Sequence, residues 1–249
     1  MEALIKFSHV KKAFDSNVIY TDLELDIFKG ETITIIGGSG TGKSVMLKLL
    51  LGLMRSDGGK IFFDGQDVIP MPLPDLIKMR KRVGMLFQGG ALFDSMSVAD
   101  NIAYPLREHY PDYTEEKLAS IVKEKLDVVG LPGIEDMMPS DLSGGMKKRV
   151  ALARAIATDP EVVLYDEPTT GLDPTNTNRI NDLILDLQKK FKVTSVVVTH
   201  DMASAFKVSD RLALLNNKKI EFVGTKKEVQ DSTNQVVQRF IHGEIGELI

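Results

Sequence analysis

Thr32-Ile33-Thr34-Ile35-Ile36-Gly37-Gly38-Ser39-Gly40-Thr41-Gly42-Lys43-Ser44 joins a β-branched apolar run to a glycine-rich loop ending in Lys-Ser, and residues 44–54 follow it with a helical apolar pattern. Strand, glycine loop and helix together form the context a phosphate-binding loop requires. The loop turns its backbone N–H groups toward phosphate oxygens, Lys43 can reach the outer phosphates, and Ser44 offers a hydroxyl to Mg²⁺. Upstream, residues 4–10 and the alternating Leu23-Glu24-Leu25-Asp26-Ile27 read as strands, with a turn at Lys29-Gly30-Glu31. Downstream, residues 61–65 and 83–87 read as two more, the second ending at Gln88.

From residue 89 to 158 the pattern turns helical. Residues 114–129 set Leu118, Ile121, Val122, Leu126 and Val129 on one face, closed by Gly130 and Pro132. A second helix opens at Ser143, runs through Val150, Ala153 and Ile156, and ends before Asp159-Pro160. Strands return at residues 162–165, 194–199, 211–215 and 220–223, and residues 177–191 form a helix striped by Ile180, Leu183, Ile184, Leu187 and Phe191. The layout is one α/β core with a helical insertion. A charged helix follows Gly224, then a tail over 232–249, whose Val237, Phe240, Ile241, Ile245 and Leu248 make an apolar stripe interrupted by Gly243 and Gly246. Such a tail is expected to dock on a partner or a second subunit rather than to take part in chemistry.

Two further motifs carry charge chemistry. Leu142-Ser143-Gly144-Gly145-Met146 opens a helix, and a helix N-terminus with free N–H donors is an anion site. Leu164-Tyr165-Asp166-Glu167 ends an apolar strand in paired carboxylates, one able to serve a metal and the other an attacking water. Lys147-Lys148-Arg149 reads as a solvated helix face. Taken alone, Phe14 is an aromatic of the core, His200 a satisfied structural histidine and Gln88 a surface polar residue.

Composition narrows the class. With 249 residues, 43% hydrophobic and 27% charged, the chain can bury a sizeable core. A formal net charge of -4 argues against a nucleic-acid binder that works by neutralising phosphates. The absence of cysteine excludes disulfides, thiol nucleophiles and thiolate-bound zinc. The most apolar stretch, residues 45–54, falls well short of the roughly 20 residues a membrane span needs, and Met1-Glu2-Ala3-Leu4-Ile5-Lys6 lacks the pattern of a secretory signal. Any link to a membrane is therefore expected to run through a partner.

The order of motifs resembles the nucleotide-binding subunit of ABC transporters over residues 4–230. The resemblance implies a P-loop NTPase core of the ABC ATPase type, with an antiparallel β subdomain and an inserted α-helical subdomain. It divides the chain into a nucleotide-binding domain over 1–230, with its core at 1–88 and 159–230 and its helical subdomain at 89–158, followed by the tail at 231–249. ATP and Mg²⁺ are the implied ligands. Phe14 takes the place of the aromatic that stacks on adenine, and Gly37, Gly38, Ser39, Gly40, Thr41, Gly42, Lys43 and Ser44 form the Walker A loop. Ser44, Gln88 and Asp166 are implied to hold Mg²⁺, Glu167 to be the general base, and His200, after Val196-Val197-Val198-Thr199, to sense the γ-phosphate. Gln88 would also couple the metal to a domain movement. Ser143, Gly144 and Gly145, with Asp173 of Gly171-Leu172-Asp173-Pro174, would meet ATP held by the opposite subunit of a homodimer. Two positions depart from the family pattern: Met146 stands where Gln is usual, and Phe14 where Tyr is commoner. Neither change removes a charge or a phosphate ligand.

Residues 84–98 and 101–109, including Gln88-Gly89-Gly90-Ala91-Leu92-Phe93, are similar to the ATPase of the bacterial Mla-type system. In that system an ABC transporter works with an MCE-domain protein to move phospholipid between membranes. The implied partners are a multi-span permease, an MCE-domain substrate-binding protein and a small STAS-domain subunit, with no nucleic acid. The implied place is the cytoplasmic face of the bacterial inner membrane. Residues 93–107, with Leu92, Phe93, Met96 and Tyr104 beside Arg107 and Glu108, are the expected permease groove. The rival readings are an importer ATPase for a small polar solute such as an amino acid, and an ABC-type ATPase acting on DNA. The second would bring a coiled-coil insertion or zinc-binding cysteines, and the chain has neither.

Overall fold

The computed structural model describes residues 2–241. Its elements, in chain order, are β1 (Ala3–Phe14), β2 (Asn17–Phe28), β3 (Thr32–Ile36), α1 (Lys43–Leu50), β4 (Gly58–Phe63), β5 (Gln66–Asp67), α2 (Leu73–Lys81) and β6 (Val83–Leu86). Then come α3 (Val98–His109), α4 (Glu115–Val128), α5 (Gly144–Ala155), β7 (Val162–Asp166), α6 (Pro174–Phe191), β8 (Thr194–Thr199), α7 (Met202–Val208), β9 (Arg211–Asn216), β10 (Lys219–Thr225), α8 (Lys226–Gln230) and α9 (Gln235–Ile241).

Every residue of β3, β7 and β8 is buried, the pattern of strands covered on both faces. They lie inside a six-stranded sheet ordered β10-β9-β3-β8-β7-β6, in which β10 is the antiparallel edge and the other pairings are parallel. Because side chains alternate along a strand, the sheet feeds two cores. Ile33, Ile35, Leu164, Val196 and Val198 pack with Met46, Leu47 and Leu50 of α1 and with the antiparallel sheet β2-β1-β4-β5. Val163, Tyr165 and Val197 face the other way, into a cluster with Ile102, Leu126, Val150 and Ile184 from α3, α4, α5 and α6. The helices between β6 and β7 are thus fastened to the sheet that carries the glycine loop. Capping contacts open three of the helices: Thr114 caps α4, Ser143 caps α5 and Asp173 caps α6, each accepting from a backbone N–H three residues on.

The register decides where chemistry can occur. Ile36 pairs with Thr199 and Leu214, Asp166 with Val198, and Leu86 with Tyr165. The carboxyl ends of β3, β8, β7 and β6 therefore finish along one edge of the sheet, and the loops leaving them carry Gly37, His200, Glu167 and Gln88 in turn.

Several expectations are corrected. β1 and β2 run well past 4–10 and 23–27, meeting in a hairpin where Phe14 pairs with Asn17. α2 has no counterpart in the sequence reading; Pro72 and Pro74 bracket its start, and only Met79 among its residues is buried. Lys147-Lys148-Arg149 is not a solvated face, since Lys148 and Arg149 are 6% and 8% exposed. In the described part of the tail, α9 docks on its own chain: Val237 is buried with Ile36, Ala205, Leu212, Leu214 and Val229, and Phe240 and Ile241 pack alongside. Ile245 and Leu248 lie outside the described residues.

Candidate active site

The glycine loop curls over the end of β3 and hands the chain to α1. Gly42 makes the turn at φ 102°, a left-handed conformation open to glycine, and a Cβ there would press on Ile19. Tyr20 fixes the turn from below, its hydroxyl donating to the Gly42 carbonyl at 2.5 Å. The Lys43 ammonium, almost fully buried, donates to the carbonyls of Gly37 and Gly38 at 2.9 Å each, and lies 3.8 Å from Glu167 Oε1. Burial lowers the Lys43 pKa, opposed by the carboxylates of Glu167 and Asp166. Ser44 Oγ donates to Asp166 Oδ1 at 2.7 Å. These two side chains, from α1 and β7, thus bring hard oxygen donors together at one point.

Glu167 follows β7 with φ at 49°, an uncommon backbone state for a residue with a Cβ. Its N–H still donates to Val198 O at 2.9 Å, so the turn is built on the sheet ladder. Its Oε2 accepts from Thr170 Oγ1 at 3.1 Å and Thr199 Oγ1 at 3.3 Å, and His200 Nδ1 lies 2.9 Å away. The Glu167 side chain is 11% exposed and the imidazole stands out toward solvent. Lys43, Ser44, Gln88, Glu167 and His200, with Ser39, Gly40, Gly42 and Ile19, line one open cavity of about 490 Å³.

Other expected residues lie off that cavity. Phe14 is exposed on the β1–β2 hairpin, with the Lys12 ammonium 5.1 Å from its ring centroid, and does not line the cavity; Ile19, from the neighbouring strand, does. Ser143, Gly144 and Gly145 at the start of α5 do not line the cavity either, nor does Asp173 at the start of α6, and Gly145 lies beside Asn176. Asn176 Nδ2 donates to Asp173 Oδ2 at 2.5 Å, and a Cβ on Gly145 would collide with the Asn176 amide. The backbone and side-chain donors of Asn176 hold the Asp173 carboxyl below the usual carboxylate range.

Sequence reasoning missed Thr170 and Thr199, which have no motif of their own, and Lys148. The signal for Lys148 was present, because Ala151, Leu152 and Ala155 fall three, four and seven residues on and are buried, so position 148 shares the inward face. Its Nζ donates to the main-chain oxygens of Gln88 and Glu167, and burial lowers its pKa against the pull of Asp166 and Glu167.

A second cleft, of about 420 Å³, opens on the helical side between Phe87, Phe93, Tyr104, Pro105, His109 and Arg154. The rings of Phe93 and Tyr104 lie 4.9 Å apart and the Arg154 guanidinium sits 5.5 Å from the Phe93 ring centroid. All three of Phe87, Phe93 and Tyr104 are exposed aromatics. Met96 and Leu92 are half-buried and lie outside the cleft lining, and Arg107 is engaged by Asp100 and Glu115.

A glycine loop at a strand end, a lysine within it, a serine joined to one carboxylate and a second carboxylate flanked by histidine define a P-loop nucleotide triphosphatase. Residues 20–170 match the ABC transporter family model, and the chain belongs to that family. It is 42% identical over 241 residues to the intermembrane phospholipid transport system ATP-binding protein MlaF of Haemophilus influenzae, covering 97% of this chain and 91% of that one. The Escherichia coli MlaF is 40% identical over 240 residues, with 96% and 89% covered. The probable ribonucleotide transport ATP-binding protein mkl of Mycobacterium leprae is 42% identical over 243 residues, with 98% and 70% covered. A dimeric ATP-binding cassette in a post-hydrolysis state, bound to ADP and Pi, superposes with a TM-score of 0.82 at 29% identity, covering 89% of this chain and 98% of that one. A Clostridium perfringens component of the ABC transporter complex cbiONQ superposes with a TM-score of 0.85 at 26% identity, covering 96% and 95%. The chain is an ABC-type ATPase, the ATP-hydrolysing subunit of a membrane transport system. None of its described helices is long and apolar enough to cross a membrane.

Proposed function

We propose that this ATPase drives movement of phospholipid between bacterial membranes, working as a homodimer on the cytoplasmic face of the inner membrane. The observation that carries the hydrolytic assignment is the setting of Glu167, whose carboxylate is held by two threonine hydroxyls and by His200 beside Lys43. In the proposed reaction ATP phosphates lie over residues 37–44, and Lys43 turns from the Gly37 and Gly38 carbonyls to the β- and γ-phosphates. A water between Glu167 and the γ-phosphate attacks phosphorus while the carboxylate accepts its proton, and the bond to the ADP oxygen breaks. His200, already against Glu167, meets the γ-phosphate and orients the base. Ser44, Asp166 and Gln88 would hold Mg²⁺, and the Ser44–Asp166 oxygen pair fits it. The ion supplies charge neutralisation at the phosphate oxygens.

Phe14, exposed on the β1–β2 hairpin, is the adenine platform of this reading. Ser143, Gly144, Gly145 and Asp173 lie off the cavity, as residues that act on ATP held by a second subunit would. The aromatic cleft around Phe93 and Tyr104 adjoins Gln88 through Phe87 and is the docking place for a permease segment. An MCE-domain substrate-binding protein and a small STAS-domain subunit complete the assembly. The residue ranges 1–88 and 159–230 act as the nucleotide-binding core and 89–158 as the helical subdomain.

The cargo assignment is supported by the MlaF proteins, which the chain spans almost from end to end. Equal identity to the mkl proteins favours a second reading, ribonucleotide transport, although the chain spans only 70% of the Mycobacterium leprae one. A deletion strain separates them. Disturbed envelope phospholipids and heightened detergent sensitivity are expected, whereas normal envelope lipids with a defect in nucleotide or other small-solute uptake would overturn the lipid assignment and leave the ATPase standing.

A further inference from the structure

Lys148 is a buried cation that does not line the phosphate cavity. It lies one turn into α5, and its Nζ donates to the main-chain carbonyl of Gln88 and, at 3.3 Å, to that of Glu167. Those carbonyls leave the ends of β6 and β7, strands paired side by side with Leu86 opposite Tyr165. One ammonium therefore closes a triangle between the Ser143 helix, the loop that carries Gln88 and the residue that carries the base. Hydrogen bonds from a charged donor are stronger than neutral ones, and a buried charge left without acceptors is costly, so the triangle resists opening. The neighbouring Arg149 faces elsewhere, donating to the carbonyls of Val129 and Gly130 at the end of α4. The two cations thus tie α5 in opposite directions, Arg149 to α4 and Lys148 to the sheet edge where hydrolysis occurs.

We propose that Lys148 is a positioning residue that couples α5 to the hydrolytic centre, holding the backbones of Gln88 and Glu167 in register with the Ser143 turn. The proposal rests on Glu167 being the base. It makes Lys148 responsible for the placement of the water-activating carboxylate and not for nucleotide affinity, which belongs to residues 37–44. A movement of α5 on dimer closure then carries Glu167 and Gln88 with it, so hydrolysis and closure are linked through one side chain. Lysine suits the task because its long stem crosses the buried gap and its ammonium can donate to both oxygens at once.

The test compares Lys148→Met, which keeps length and removes every donor, with Lys148→Arg, which restores donors, in the full chain assembled with its membrane partners. Steady-state hydrolysis of MgATP should show kcat reduced about tenfold or more in Lys148→Met with KM within about twofold of the wild type, and Lys148→Arg should recover to within about threefold of wild-type kcat. A retained melting transition separates this from general loss of structure. Wild-type kcat in Lys148→Met, or a change confined to KM, overturns the proposal, as does an Arg variant no better than the Met variant. Where Lys148→Met does not fold, Lys148→Gln is read in its place: its shorter amide reaches one carbonyl, so kcat should fall by about threefold or more at unchanged KM, and an unchanged kcat overturns the proposal. Glu167→Gln is assayed beside them. An inactive Glu167→Gln with a fully active Lys148→Met defeats the Lys148 role alone, whereas an active Glu167→Gln defeats the base assignment beneath it.

Discussion

Glu167 and His200 meet because β7 and β8 lie side by side in parallel, so residues far apart in the chain end on one line. The Glu167→Gln substitution keeps the side chain's size and one oxygen for the Thr170 and Thr199 hydroxyls, yet removes the proton acceptor. Phosphate release should fall by about a hundred- to ten-thousand-fold while ATP binding persists, and trapped ATP should favour the closed dimer. Near-normal turnover of this variant with its native partners would remove Glu167 from the base role. Lys43→Ala should act earlier, at nucleotide affinity, and unaltered ATP binding in a direct titration would count against the loop assignment. At this scale the positions of the residues with motifs were legible from local spacing: the glycine loop after β3, Asp166 and Glu167 at the end of β7, and Ser143 at the start of α5. Thr199 and Lys148 were not, because they meet Glu167 only through sheet pairing and helix docking, and Thr170, three residues on from Glu167, meets it through a turn that no motif announces. Lys148 was obscured further by its setting between two other cations, which made an inward-facing residue look like part of a charged surface.

Elements whose pattern is set by burial on both sides were read almost to the residue, as β3 and β8 were, since unbroken β-branched runs leave little choice of register. α2 is different: Leu73, Leu76 and Ile77 stand at helical spacing, but the element is only nine residues long and opens on Pro72 and Pro74, which read as a loop. The tail shows how an amphipathic pattern reveals a need to dock without naming the surface. Val237 of α9, 1% exposed, fills a cluster made by Ile36, Leu212 and Leu214 of the main sheet and Val229 of α8. Val237→Ala should cost about 1.5–2 kcal/mol, from two buried methylene equivalents and the small cavity left behind, and lower the unfolding midpoint in urea. A chain ending at Asp231 should lose more while still binding ATP, because no phosphate-cavity residue belongs to α9. Unchanged stability in Val237→Ala would mean that α9 is not held on this face in solution.

In the proposed reaction the site falls into two halves, the cavity and the Ser143 turn that lies off it. Lys43 and Ser44 line the cavity, while Ser143 and Asp173 lie off it and are exposed, and Gly145 is buried beside Asn176. If the halves belong to different subunits, Ser143→Arg protein should bind ATP but fail to close on itself. Mixing it with Lys43→Ala protein rebuilds one intact composite site in the mixed dimer, and absence of ATP-dependent mixed dimers on a sizing column would oppose the shared arrangement. Force must then leave the dimer through a surface that feels the phosphate state. The aromatic cleft qualifies on position, since Phe87 immediately precedes Gln88, and Gln88 lines the phosphate cavity while its carbonyl is gripped from α5. It qualifies on chemistry as well: exposed rings of Phe93 and Tyr104 in mutual contact, with a guanidinium over one of them, present an apolar floor that a partner helix can cover. Phe93→Ala with Tyr104→Ala should therefore weaken co-purification with the permease by about tenfold or more, each ring being worth on the order of 1–2 kcal/mol when desolvated at an interface. The effect should fall on coupling and leave the catalyst intact. Basal MgATP affinity is expected to be unchanged because neither ring lines the phosphate cavity, whereas any stimulation of hydrolysis by the permease should be lost together with the association. A double variant that still assembles and is still stimulated would move the permease contact elsewhere on the helical face, and one that loses ATP affinity instead would show that the cleft communicates with the nucleotide in the absence of any partner.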